Sequence, residues 1–184
     1  ASVKTTSVFR DTSAWYHIVC AIDTTQGTQS NRGKIYVNGV QQSLSSNNFS
    51  QNVETSVNNN SVQVFGTRWV SGAANGNFDG YLAEINLIDG LQLDASHFGY
   101  TEFQTGTWRP KGYFGSYNTN GVRLPLDSTK LVNEFIDESS SANTITTGGN
   151  AVHSTDQTKN GESSIKLDGS GDKLTANNSD FVFG

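Results

Sequence analysis

Residues 77–88 read Asn-Phe-Asp-Gly-Tyr-Leu-Ala-Glu-Ile-Asn-Leu-Ile. From Phe78 to Ile88 the side chains alternate, with Tyr81, Ala83, Ile85 and Leu87 on one side and Leu82, Glu84 and Asn86 on the other. Period two is the strand signature, and one dry face beside one polar face suits an antiparallel sheet wetted on a single side. This stretch predicts the longest strand. Upstream, Trp15 to Ile22 also alternates, with Tyr16, Ile18, Cys20 and Ile22 opposing Trp15, His17, Val19 and Ala21. Both faces are apolar, which predicts a central strand and a buried, inert Cys20. Lys34-Ile35-Tyr36-Val37 then meets Asn38-Gly39 before Val40. Asn-Gly between two β-type runs predicts a type I′ hairpin, because that turn needs positive φ twice.

Shorter strand signals follow at Ser61 to Phe65, Gly121 to Leu126, Thr144 to Thr146 and Ser164 to Leu167. One helical turn is expected over Asp94 to Phe98, capped by Asp94 and stopped by Gly99. The expected core joins Tyr16, Ile18, Ile22, Ile35, Val37, Ile85 and Leu87. The fold class is therefore all-β, an antiparallel β-sandwich with short turns.

Composition agrees. Only 34% of the 184 residues are hydrophobic, yet ten Phe, six Tyr and three Trp supply the area that a disordered chain lacks. The 12 basic residues are scattered among 17 acidic ones, giving a net charge of −5. That pattern excludes a phosphate-neutralising arm and hence nucleic acid as a partner. No apolar run approaches the roughly 20 residues that span a bilayer, so no membrane partner is expected. A single Cys20 excludes an internal disulfide.

Several stretches together resemble one family. Ala14 to Asp23, Lys34 to Gln41 and Asn77 to Gly99 look like the later half of a laminin-G-type, concanavalin A-like module. The matching features are Trp15 on a strand, the Tyr36 to Gly39 hairpin and the closing strand after Phe78-Asp79-Gly80. The stretch from Trp108 to Leu126 is similar in flavour to long structural proteins of tailed marine phages. Residues 143–184 resemble the opening strands of such a module. The resemblance implies a jelly roll and a module order: 1–99 a later half, 100–142 an aromatic and turn-rich surface connector, 143–184 opening strands of a next module or of the same, permuted one. It also implies a virion fibre, appendage or capsid-surface protein whose partners are neighbouring modules or virion chains. Ser164 to Leu167 must then pair with another module, another chain or residues 1–99.

A lectin-like sheet can also hold host surface glycan or cleave it. Trp69 and Trp108 are the glycan-stacking candidates. A retaining glycosidase needs two carboxyl groups about 5–5.5 Å apart. The nearest set is Glu134, Asp137 and Glu138, but Asp137 falls on the opposite strand face from the other two, so no enzyme is expected. His17, His97 and His153 lack metal-ligand spacing, and Ser163 to Lys166 fits Ser-x-x-Lys without companion motifs. The Asp168 to Asp172 turn fails as an EF-hand, since its twelfth position is Ser179. No cofactor is expected; calcium held near loops of such modules is the exception to consider, with Asp79 and Asp89 as its candidates.

Overall fold

The computed structural model describes residues 2–55, 62–70, 73–126, 134–159 and 163–177, with Trp69 and Val70 described in their backbone only. The described residues are almost wholly antiparallel strands joined by turns. They form two compact units, neither continuous in sequence. One comprises residues 1–55 and 90–115, the other 56–89 and 116–184.

In the first unit, strands Ile18–Ile22, Gly33–Val37 and Val40–Gln41 form a three-stranded sheet in that order. The Asn38-Gly39 turn has φ of 48° and 81°, as a type I′ hairpin requires. Strand Val3–Thr5 pairs with Leu44–Asn47, and Gly99–Thr101 pairs with Trp108–Pro110. The buried core is small: Ala21, Val37, Phe49 and Ala95. Arg32 is buried beside it and donates to the carbonyls of Gln26, Gly27 and Phe49 at 2.8–3.0 Å, which fastens the loop before strand Gly33–Val37. Asp94 caps a 3-10 turn at Ala95–His97, its carboxylate accepting from the Ser96 N–H at 3.0 Å. A second such turn at Gln29–Asn31 has no side-chain cap, which is why sequence reading passed over it.

The second unit holds two three-stranded sheets. One orders Thr144–Gly148, Lys173–Asn177 and Gln63–Phe65; the other orders Val152–Ser154, Ser164–Asp168 and Asp79–Leu82. Chain corners at 148–152 and 168–173 pass from one sheet to the other. The buried Asp172 side chain serves both corners, accepting from the Asn150 N–H at 2.7 Å and the Asp168 N–H at 2.8 Å. Ile165 and Leu167 from one sheet pack with Leu174 and Ala176 from the other, joined by Val122, Leu124, Leu126 and Phe135.

Ser164–Asp168 thus pairs with residues 79–82, so the late strands fold back onto the earlier part of the chain. Three expectations are corrected. The strand read through Phe78 to Ile88 is broken into Asp79–Leu82 and Ile85–Leu87, because Glu84 adopts φ 52°. Residues 100–142 are more than a surface connector, since Val122, Leu124, Leu126 and Phe135 are core. The single core also dissolves: Ile85 and Leu87 pack in the second unit, while Ile18 of the first is 60% exposed and Cys20 is exposed too. Alternation places those residues on one face, but only another layer can cover a face.

Candidate functional site

Trp108 sits at the start of strand Trp108–Pro110, opposite Thr101. A Cβ built on Gly39 would lie 2.2 Å from its ring, and one on Gly99 would lie 2.3 Å from it. Both positions lack a side chain and the indole fills the space. Its N–H donates to Nδ1 of His17 at 3.1 Å, which fixes His17 as an acceptor and hence neutral. Burial lowers the His17 pKa in the same sense, since desolvation penalises imidazolium. Trp108 is a half-buried pin of the first unit.

The hairpin carrying Trp108 does present a bare aromatic ring at its tip. Phe103 is fully exposed there, and Tyr100 is half exposed on the adjoining strand. Hydrogen bonds close the turn on either side of Phe103. The Glu102 N–H donates to the Thr107 carbonyl and the Gly106 N–H to the Glu102 carbonyl, both at 2.9 Å. The Glu102 carboxylate accepts from Thr105 Oγ1 at 2.6 Å and Arg109 Nη2 at 3.2 Å, and the hydroxyl and then the guanidinium lower its pKa. Phe114, in the loop after the hairpin, is as bare as Phe103. Sequence reading missed both, because a Phe in a Gly- and Thr-rich stretch carries no signal for exposure.

The other candidates belong to the second unit. Trp69 is in strand Thr67–Val70, its backbone opposite Ala74; its side chain lies outside the described residues. Ala73 to Asn77, on the partner strand, are all exposed. Asp79 is exposed at a strand end, in register with Asp168. Asp89 clamps a loop instead. Its Oδ2 accepts from the Asn120 N–H at 3.2 Å and Nδ2 at 3.1 Å, and its carbonyl accepts from Asn118 Nδ2 at 2.6 Å. Among the described residues no three His, Cys, Asp or Glu side chains gather as a metal site.

The carboxylates named as an enzymatic possibility are placed unevenly. Asp137 is buried, and its two oxygens accept from Arg123 N, Ser139 N and Oγ, and Asn143 N and Nδ2 at 2.6–3.0 Å. It is a loop organiser with no lone pair to spare. Glu138 forms an ion pair with Arg123. Glu84, half-buried nearby in the same unit, has its carboxyl pKa raised by desolvation, with Arg123 pulling the other way and Glu138 adding to the rise. His153 stacks on Phe135 at 4.3 Å, with Nδ1 beside Ser163 Oγ and Nε2 beside the Glu134 carbonyl. His153 thereby joins the 134–135 segment to strand Val152–Ser154. Cys20 is exposed at its surface, and desolvation by its surroundings raises its thiol pKa, which leaves little thiolate.

A family model described as the concanavalin A-like lectin/glucanases superfamily matches residues 1–95. Comparison with curated proteins and with solved structures returns no match.

Proposed function

Because this chain belongs to the concanavalin A-like lectin/glucanase superfamily, we propose that it is a non-catalytic adhesion module of a virion surface protein, such as a fibre, appendage or capsid-surface component. The observation that carries the adhesion reading is Phe103, fully exposed on a tip whose backbone and acidic side chain are held by hydrogen bonds. Burying a Phe side chain is worth about 1.5–3 kcal/mol. The folded chain leaves that gain unused, and because the tip is already ordered a partner collects it with little entropic loss. The virion setting rests on the resemblance of residues 108–126 to tailed-phage structural proteins. Its partners are neighbouring modules or virion chains; nucleic acid and membrane are not among them.

A second reading, capture of host surface glycan, is favoured by the same ring. A bare aromatic face stacks on a pyranose, and Gln104 beside it supplies an exposed amide for hydroxyls. An enzymatic reading has less support, since Asp137 is fully engaged and Glu138 is paired to Arg123. No cofactor enters this reading. The test is a glycan array, with a plate assay on whole virions or host envelopes, comparing wild type with Phe103→Ala. The expected result is binding that falls at least tenfold in the variant while its far-UV spectrum is unchanged. Equal binding by both proteins, or release of reducing sugar from β-glucans by the wild type, overturns the proposal.

A further inference from the structure

Strand Ile18–Ile22 is an edge. Gly33–Val37 pairs with it on one side, and among the described residues no strand pairs on the other. The phase of the ladder follows from its ends: the Asn38 N–H donates to the His17 carbonyl and the Asp23 N–H to the Arg32 carbonyl, both at 2.8 Å. In an antiparallel pair, bonding alternates residue by residue. His17, Val19, Ala21 and Asp23 therefore bond inward, and the N–H and C=O groups of Ile18, Cys20 and Ile22 point away from the sheet. Ile18 is 60% exposed and Cys20 is exposed. The strand, Ile-Val-Cys-Ala-Ile, carries none of the usual protections of an edge: no Lys, no Pro, no inward charge and no bulge within it.

The sequence of that strand is compatible with its own reverse. We propose that two copies of this chain pair antiparallel along Ile18–Ile22, about a two-fold axis at Cys20. In that register Cys20 faces Cys20, Ile18 faces Ile22 of the second copy, and Val19 faces its Ala21. Every outward main-chain group finds a partner, every facing pair within the strand is apolar, and no like charges oppose, which is the condition for a stable cross-strand match. One residue beyond, His17 meets Asp23 of the second copy. Nδ1 of His17 is taken by Trp108, which leaves Nε2–H as a donor; Asp23 Oδ1 already accepts from Thr25 N and Oγ1, so the free lone pair is on Oδ2, beside Gln26 Nε2. Two three-stranded sheets thereby become one continuous sheet of six, and the contact is isologous, so it closes at a dimer and does not propagate.

The experiment is analytical ultracentrifugation of the full chain up to about 1 mM, the weak end of specific association. It is paired with a short bismaleimide cross-linker that can bridge only closely apposed Cys20 thiols. A dimer that cross-links through Cys20 is expected. Ile18→Lys sets an ammonium against Ile22 of the second copy, at a position exposed in the single chain, so it should return the chain to monomer and abolish cross-linking with an unchanged far-UV spectrum. Cys20→Ser should remain dimeric and simply fail to cross-link. A wild-type monomer throughout the range, or a dimer that survives Ile18→Lys, overturns the proposal.

Discussion

The indole N–H of Trp108 donates to Nδ1 of His17 across 3.1 Å, while the ring occupies the space that side chains at Gly39 and Gly99 would need. Residues from three separate stretches of the chain are thereby locked by one side chain. Gly99 tests this at an unstrained φ, whereas Gly39 has φ 81°; a Cβ at Gly99 would also lie 2.8 Å from the Arg109 carbonyl, so removing the ring relieves part of the clash and not all of it. Gly99→Ala should destabilise the protein by about 1–3 kcal/mol through overpacking. In a Trp108→Leu background the same change should cost markedly less. A urea-denaturation double-mutant cycle measures the coupling, and additive losses would show that the ring does not fill that space.

The same hydrogen bond has a pH signature. His17 is lowered in pKa by burial, and its Nδ1 must stay unprotonated to accept from Trp108. Above the unfolded value, about 6.5, both folded and unfolded chains hold it neutral and its contribution is fully present. As pH falls below that value the unfolded chain takes up the proton first, so stability declines until the folded pKa is passed. Denaturation midpoints from pH 8 to pH 4.5 should therefore drop more steeply for wild type than for His17→Gln. Parallel curves would remove His17 from the account.

Asp137 should be irreplaceable for stability. It gathers five donors from Arg123, Ser139 and Asn143 inside the second unit. Asp137→Ala leaves those donors buried without an acceptor, and a loss of about 2–5 kcal/mol is expected. Asp137→Asn should recover little, because its amide nitrogen would have to face an N–H. Thermal unfolding of the two variants checks this, and a full rescue by Asn would contradict the count of donors.

Two isoleucines on well-formed strands should behave oppositely. Ile165 is wholly buried among Leu167, Leu174 and Val122, whereas Ile18 is mostly exposed. Ile165→Ala should cost about 2–5 kcal/mol. Ile18→Ala, measured at a concentration low enough for the chain to be monomeric, should cost less than about 0.5 kcal/mol. Comparable losses at the two sites would mean that the face bearing Ile18 is covered.

Strands were legible where alternation and turn chemistry coincided. Gly33–Val37 ending in Asn38-Gly39 and Ser164–Asp168 running into a Gly-rich turn are examples. Pairing was not, because it depends on contacts between distant segments: nothing local to Ser164–Asp168 names Asp79–Leu82 as its neighbour. Gly121 to Leu126 was legible as a strand, but the burial of Val122 and Leu124 was not, because the surrounding Asn and Gly residues advertise a surface connector. The break at Glu84 was invisible for another reason, since a Glu with positive φ runs against its own preference. Among the site candidates, Trp108 was found by residue type, but its packing was not legible. Its role is defined by the absence of side chains at Gly39 and Gly99, and a sequence does not show which glycines meet.

The division of the chain into two interrupted units also sets a timetable for synthesis. Strand Gln63–Phe65 emerges early, yet its neighbour Lys173–Asn177 follows roughly a hundred residues later, about 5–20 s at the pace of translation. Asp79–Leu82 waits similarly for Ser164–Asp168. During that interval the nascent chain displays unsatisfied strands beside the ribosome, the state in which misassociation with other nascent chains competes with folding. A topology that pairs early strands with partners made so much later lengthens the time in which those early strands stand open.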